Sequence, residues 1–274
     1  MREPPGNSGW GRDVPSPGDD GDSDGADDGV VTARLGTYFG DTRDLATSLV
    51  LVFPLFVLYQ VGLLTTGGVR NGVDFVTRLL FQLVGSSWTG YLVLNFGLLV
   101  LFGFGLLRLR DSGDFDLRVF PAVLVESTVY ALLFGRAVLL VMQTFGFNAL
   151  LATGPALQVG PSFGLVTILV LSAGAGFYEE LVFRVLLMGG AFVLGVKAFA
   201  VSKPVAAAIA VVFSSLAFSA VHHVGAGGEP FALGVFLFRF VAGVLLAGIF
   251  YVRGFAVAVY THAIYDVVVM TGLQ

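Results

Sequence analysis

The sequence contains no cysteine, only two lysines and little charge of either sign. Because cysteine is absent, the chain can form no disulfide, no thiolate nucleophile and no cysteine-ligated metal site. Charged residues make up 12% of the 274 residues, whereas about 25% is usual for soluble proteins. The low charge therefore argues against a soluble globular protein.

Apolar residues take the place of charge, since 56% of the chain is hydrophobic. Several apolar runs reach the roughly 20 residues that a helix needs to cross the hydrocarbon core of a bilayer. They predict an all-α, polytopic transmembrane helix bundle of seven or eight spans, in the cell membrane. The predicted spans are Leu45–Thr65, Trp88–Leu107, Phe120–Phe145, one or two within Ser162–Ala200, Pro204–Val221, Phe231–Tyr251 and Phe255–Gly272.

Two apolar stretches need a separate interpretation. Ser162–Ala200 is longer than one crossing requires, so it is either one long helix or two pieces joined near residues 173–176. Val73–Val84 contains Asp74 and Arg78, and we interpret it as interfacial rather than spanning.

The N-terminal segment differs from the rest in composition. Residues 1–44 are rich in Pro, Gly, Ser and Asp and cannot bury enough apolar surface to offset the entropy of ordering, which predicts a disordered acidic tail. This tail is either simply solvated or an acidic docking arm. The remainder divides into N-terminal transmembrane helices over 45–160 and a transmembrane core over 161–274. The Asp-rich tail, with arginine far above lysine, indicates a salt-loving (halophile) prokaryote.

Lys and Arg are distributed unevenly among the short loops, which indicates orientation. The loops Gly146–Pro161 and His222–Pro230 contain neither residue, and the alternate loops carry most of them, with Arg70 and Arg78 as exceptions. The bias predicts a cytoplasmic N-terminus with seven spans.

Three charged residues lie in an apolar setting within Phe177–Val185. A charge near the bilayer centre costs on the order of 3 kcal/mol, so function or pairing must retain it. Glu180 and Arg184 are four residues apart and are predicted to form an ion pair on one helix face. Glu179 is rotated away from that face and is a candidate general base. The alternative is a structural salt bridge between helices.

All three histidines lie in the final third of the chain. His222 and His223 end the fifth predicted span, and His262 lies in the last span with Asp266 one turn beyond it. A single membrane histidine usually makes a helix–helix hydrogen bond, but three of them after a glutamate pair favour a site. His223 points about 100° away from His222 on a helix and is interpreted as interfacial.

Helix lengths predict that these groups share one depth. Glu179 to Lys197 and Lys203 to His222 are nearly equal in length, and each corresponds to about 28 Å of helix. If the loop between the lysines lies at one surface, Glu179 and His222 are level in adjacent antiparallel helices. For Glu126, Arg136 and Arg239 in other spans we expect cross-helix pairing or snorkelling.

Three short patterns together resemble a known family. E-E-L-V-F-R at Glu179–Arg184 resembles the EExxxR motif of the CAAX-protease and bacteriocin-processing (CPBP, or Abi) family of intramembrane peptidases. F-S-A-V-H at Phe218–His222 is similar to its FxxxH motif, and H-A-I-Y-D at His262–Asp266 to its HxxxN/D motif. Each motif alone is weak, but three in order are specific. The resemblance covers about Phe163–Gly272 and makes residues 161–274 a CPBP-like catalytic core.

The resemblance implies an endopeptidase with its site buried among helices. It implies that Glu179, helped by His222, activates a water for attack on a peptide carbonyl, and that His262 stabilises the oxyanion. Glu180 would belong to the catalytic set with these residues. Together with the supporting Arg184, it would hold Glu179, the base, in place. Asp266 stands where many members have Asn, and an ionised Asp cannot donate to an oxyanion, so it either orients His262 or binds a cation.

The sequence allows more than one cofactor and more than one function. Glu179, His222 and His262 could supply three ligands to zinc with water in the fourth place, although no HExxH motif is present. The expected partners are the lipid bilayer and membrane-bound protein or peptide substrates, including prenylated C-termini, and no nucleic acid. The alternative functions are a catalytically inactive membrane scaffold and a proton-coupled transporter.

The charge bias of the loops and the helix lengths do not predict the cytoplasmic opening expected of a CAAX-type protease. The charge bias puts the Lys197–Lys203 loop in the cytoplasm, and the depth argument then places Glu179 and His222 towards the opposite face. A CAAX-type protease is expected to open to the cytoplasm. Either Arg70 and Arg78 mark the true inside, or the region near Ser162 adds a crossing, or the substrate is not cytoplasmic.

Overall fold

The computed structural model describes residues 38, 40, 42–65, 81–110, 117–147, 150, 163–224 and 228–273. Within these ranges all regular secondary structure is helical, so the predicted all-α membrane bundle is confirmed. The α-helices with both ends in these ranges are α1 (Leu45–Thr65), α2 (Trp88–Arg110), α3 (Phe120–Thr144), α4 (Leu165–Glu180), α5 (Gly189–Lys197), α6 (Lys203–Val221), α7 (Leu233–Arg253) and α8 (Phe255–Thr271). Residues 1–37 of the predicted tail and 73–80 of the predicted interfacial stretch lie outside the described residues.

In the part of the chain that the structure describes, five helical segments are long and apolar enough to cross a membrane. They are Ala46–Thr65, Trp88–Arg108, Leu117–Thr144, Lys203–Val221 and Leu233–Arg253. Many of their Leu, Val and Phe side chains are exposed on the protein surface, as expected of helices that face lipid rather than water. The chain is therefore a multi-pass membrane protein.

The long apolar region is one continuous helical run. α4 passes into a π-helical stretch, Leu181–Met188, and that stretch passes into α5 without a break. Of the two interpretations left open by the sequence, the single long helix is correct, and no joint occurs near residues 173–176. The π-helical geometry was not predicted. Its wider turns occur mostly as short insertions in α-helices, frequently at functional sites.

Helix α8 lies at the centre of the bundle. Every residue from Phe255 to Ala263 is buried, and α8 packs mainly against α4 and α3. A helix that is apolar on all sides is buried either among other helices or in lipid, and α8, with a length of 17 residues, lies among helices. Side chains of α8 therefore meet those of α4 in the interior.

A polar cluster joins three parts of the chain near the end of α7. The Arg253 guanidinium binds both carboxylate oxygens of Glu126 on α3, and Arg253 also donates to Thr42 Oγ1 at 3.2 Å. The Tyr38 hydroxyl donates to the same carboxylate. Burial and this contact with Glu126 raise the pKa of the Tyr38 phenol. The cross-helix pairing predicted for Glu126 is confirmed, whereas Arg136 is exposed on α3.

Gly254 allows the chain to turn tightly beside this cluster. Its φ angle of +90° lies in the region that favours glycine, and a Cβ atom there would collide with the carbonyl oxygen of Thr42. The segment before α1 is thus packed directly against the reversal between α7 and α8. These contacts fix the position of Gly254, the residue that precedes α8.

We expect Arg253→Gln to lower the free energy of unfolding by about 3 kcal/mol, because it leaves the Glu126 carboxylate partly buried without its cation. Arg136→Gln, the same change at an exposed position of α3, should alter it by no more than about 0.5 kcal/mol. Unfolding titrations in mixed micelles measure both values. Equal stabilities of the two variants would contradict the assigned role of the pair.

Candidate active site

Two adjacent glutamates end α4 in the interior of the protein. The side chains of Glu179 and Glu180 are 3% and 0% exposed. Glu180 Oε2 lies 3.1 Å from Arg184 Nε, in the π-helical stretch that follows. The ion pair predicted from the four-residue spacing is therefore present. The two atoms are within ion-pair distance, but they are not aligned for a hydrogen bond.

The Arg184 guanidinium is completely buried. Within the described ranges its two terminal nitrogens have no hydrogen-bond partner, and its Cζ atom lies 5.0 Å from the centre of the Phe218 ring. An aromatic face attracts a cation, and the attraction is larger when both groups are shielded from water. Glu180 and Phe218 together therefore compensate the charge of Arg184.

His262 of α8 lies between the carboxylates of α4. Its Nδ1 is 2.9 Å from Glu180 Oε1. Its Nε2 is 3.9 Å from Glu179 Oε2 and 3.8 Å from Asp266 Oδ2. Because an ionised carboxylate can only accept, Nδ1 carries the proton of the short contact. The opposite edge of the ring then faces Glu179 and Asp266.

His222 follows the last residue of α6 and is 8% exposed. Its Nδ1 lies 2.7 Å from the carbonyl oxygen of Phe218. A carbonyl oxygen accepts, so Nδ1 bears the hydrogen and Nε2 is the basic nitrogen of the neutral ring. The motif residues Phe218 and His222 are thus joined by a hydrogen bond across one helical turn.

The Phe218 ring connects the groups of the site. Its centre is 5.1 Å from that of His222, 6.0 Å from that of His262 and 5.4 Å from that of Phe183. The ring therefore touches residues from the π-helical stretch, α6 and α8. The structure brings Glu179, Glu180, Arg184, His262 and Asp266 into direct proximity, and it places His222 beside them across Phe218.

The donor groups are not arranged to hold a metal ion. Among the described residues no group of three or more His, Asp or Glu side chains has the required geometry. His262 Nδ1 is engaged by Glu180, so Nε2 is the nitrogen of this ring that remains for another partner. The mechanism proposed below therefore uses the side chains alone.

A second ion pair borders His222, and sequence reasoning did not assign it to the site. Glu229 donates its backbone N–H to the carbonyl oxygen of His222 at 2.9 Å. Its carboxylate accepts two hydrogen bonds from Arg239 of α7, at 2.9 and 2.7 Å. These bonds hold the pKa of Glu229 below its usual range. The pairing expected for Arg239 is present, but its partner lies in the preceding loop.

A signal for this pair existed in the sequence. Glu229 is the only charged residue in the loop His222–Pro230, and Arg239 follows ten residues later inside an apolar helix. His223, interpreted as interfacial, is half-buried and contacts the Glu229 carbonyl through Nδ1 at 3.3 Å.

One comparison with known proteins matched part of the chain. Ionisable residues inside membrane helices mark functional sites. Residues 161–268 match the family model of the Rce1-like proteins, the type II CAAX prenyl endopeptidases. The matched segment is therefore an Rce1-like domain, and it supports assignment to the intramembrane proteases. No curated protein and no solved structure matches the chain.

The match confirms the resemblance to the CAAX-protease and bacteriocin-processing family. The segment contains all six residues singled out in the sequence: Glu179, Glu180, Arg184, His222, His262 and Asp266.

Close packing at one glycine brings α4 and α8 together at the site. A Cβ atom on Gly176, three residues before Glu179, would lie 2.8 Å from both Ala263 Cβ and the Val259 carbonyl oxygen. Ala263 is the next residue after His262 on α8. The contact between His262 and the two glutamates therefore depends on the absence of a side chain at position 176.

We expect Gly176→Ala to lower the free energy of unfolding by about 1–3 kcal/mol, since α8 must shift to accommodate the methyl group. Gly190→Ala is a matched control, because a Cβ atom there meets nothing within 4 Å. It should be neutral or stabilising by up to about 1 kcal/mol, owing to the higher helix propensity of alanine. Similar losses in both variants would contradict the close approach.

Proposed function

We propose that this protein is an intramembrane endopeptidase that hydrolyses peptide bonds of membrane-associated proteins, prenylated C-termini included, in the cell membrane. Glu179 is the general base and, with His222, activates the attacking water. The observation that carries the proposal is the arrangement of two neighbouring buried glutamates around the ring of His262. Glu180 contacts both Arg184 and His262, and Glu179 lies across the ring of His262 from it.

Glu180 is a positioning residue in this mechanism. One of its oxygens faces Arg184 and the other accepts from His262 Nδ1. A carboxylate whose two oxygens both face neighbouring donors is held in a fixed orientation. Its role is to fix the ring of His262 and the helical turn that carries Glu179.

Glu179 and His222 have the properties that water activation requires. Glu179 is buried and lies 3.9 Å from His262 Nε2, and a carboxylate in such a position can accept a proton from water. The carbonyl bond at Nδ1 of His222 leaves its Nε2 as a proton acceptor. Proton transfer from water to such groups generates the hydroxide that attacks the substrate carbonyl.

His262 is suited to stabilise the oxyanion that this attack creates. Its Nδ1–H bond to Glu180 fixes the plane of the ring, and Nε2–H is a donor when both ring nitrogens carry a proton. A preorganised donor in a water-poor site contributes more than the same donor in water. Asp266, 3.8 Å from Nε2, orients the ring and does not itself contact the oxyanion.

We expect Glu179→Gln and His222→Ala each to lower kcat at least about a hundredfold, the usual contribution of a positioned proton acceptor. The assay is cleavage of a prenylated C-terminal peptide by purified enzyme in detergent micelles. Arg136→Gln, an exposed change on α3, should retain full activity, and thermal melts should show that all variants are folded. Undiminished cleavage by both site variants would contradict the mechanism.

Chelator treatment separates this mechanism from metal catalysis. Because Glu179, His222 and His262 are not arranged around a common metal position, cleavage should be unchanged after dialysis against chelator. Loss of activity that zinc restores would contradict the metal-free assignment. The comparison uses wild-type protein before and after dialysis, with matched ionic strength.

Asp266 should tolerate replacement by the amide. Asp266→Asn keeps an oxygen beside His262 Nε2, so we expect activity within about threefold of wild type, whereas Asp266→Ala removes the orienting group and should lower kcat about tenfold or more. Steady-state kinetics of both variants measure this difference. A larger loss in Asp266→Asn than in Asp266→Ala would exclude an orienting role.

A further inference from the structure

We infer that Arg239 binds the free C-terminal carboxylate of the substrate and that Glu229 occupies this position when substrate is absent. The inference rests on the proposed function and assigns a specificity-determining residue to it. The ligand is defined by its chemistry as the α-carboxylate at the end of a peptide chain. Neither Arg239 nor Glu229 belongs to the three motifs.

The structure contains a carboxylate in the geometry that such a ligand would adopt. Arg239 donates from both terminal nitrogens to the two oxygens of Glu229. This two-pronged arrangement is the preferred and strongest way for arginine to bind a carboxylate. A peptide α-carboxylate has the same planar pair of oxygens, so it can replace the Glu229 carboxylate without moving the guanidinium.

The exposure of the two partners permits this exchange. The Arg239 side chain is 15% exposed and therefore held in place, whereas the Glu229 side chain is 50% exposed. Glu229 can rotate into water and regain full solvation, so its departure costs little. Arg184, the other arginine near the site, is 0% exposed and paired with Glu180. Of these two arginines, Arg239 is thus the one that a substrate can reach.

The Glu229–Arg239 pair adjoins His222, and the substrate requires its carboxylate to lie near the reacting bond. A CAAX motif ends at the C-terminus, three residues after the prenylated cysteine, and three extended residues reach at most roughly 11 Å. Glu229 links the pair to His222, because its N–H binds the His222 carbonyl and its carboxylate binds Arg239.

Glu229 also explains how the site remains stable without substrate. Arg239 lies in an apolar helix, where an uncompensated cation is costly. The internal carboxylate neutralises it until a substrate carboxylate takes over. A substrate that lacks a terminal charge would leave Glu229 in place and gain nothing from Arg239, which favours free C-termini over internal peptide bonds.

The test compares two peptides that differ only in a C-terminal acid or amide. With wild-type enzyme we expect the acid to have a KM at least about tenfold lower than the amide, as for a charge-assisted contact. Arg239→Gln should raise the KM of the acid to that of the amide and leave the amide unchanged. Glu229→Gln should lower the KM of the acid several-fold, because it removes the competing carboxylate. Arg108→Gln, an exposed change on α2, should change neither.

Two results would overturn the inference. One is equal KM values for acid and amide with wild-type enzyme, and the other is an equal effect of Arg239→Gln on both peptides, which indicates only a structural role for the pair. Arg239→Lys keeps the charge without the two-pronged geometry and should fall between wild type and Arg239→Gln. Thermal melts establish that each variant is folded.

Binding measurements separate this inference from the proposed function. Both peptides are titrated into the Glu179→Gln variant, and their dissociation constants are compared with and without Arg239→Gln. If wild-type enzyme cleaves neither peptide, the proposed function fails, but a preference for the acid that requires Arg239 still supports the carboxylate site. If cleavage occurs and the acid has no advantage in binding, only the further inference fails.

Discussion

Glu180 is completely shielded from solvent, and each of its two oxygens faces a nitrogen of another residue. An isolated carboxylate in such a setting would be strongly unfavourable, so Glu180 requires Arg184 and His262 as much as they require it. This mutual dependence joins the turn after α4 to the centre of α8. The remaining geometry of the site, including the direction in which His262 faces Glu179 and Asp266, follows from this pair of contacts.

Apolar packing around these charged groups excludes water and sets the distances between the helices. The Phe218 ring covers the Arg184 guanidinium and touches both imidazoles, so it excludes water and sets the spacing between α6 and α8. Gly176 allows α8 to approach α4 closely enough for the hydrogen bond to Glu180. The Rce1-like domain therefore holds its polar groups with apolar contacts at short range, in keeping with a site that must work inside a bilayer.

The site has a buried end and an end near water, and the two differ in how firmly charge is held. Glu180 and Arg184 are inaccessible, whereas Glu229 is half exposed and bound to an arginine that is mostly buried. A charge pair of the second kind can exchange one partner, and one of the first kind cannot. The same residue types thus form a fixed pair at one end and an exchangeable pair at the other.

Much of this arrangement was predictable from the sequence, because apolar length specifies membrane helices and a four-residue spacing specifies which side chains share a helix face. These two rules predicted the bundle and the Glu180–Arg184 pair, and the motif resemblance predicted the family whose model matches residues 161–268. The sequence did not specify helix rotation, the π-helical turn at Leu181–Met188 or the partner of Arg239. These depend on how α4, α6, α7 and α8 pack, since contacts between helices are set by side-chain shape at each crossing. Only the tertiary structure therefore decided that Glu180, rather than Glu179, makes the hydrogen bond to His262.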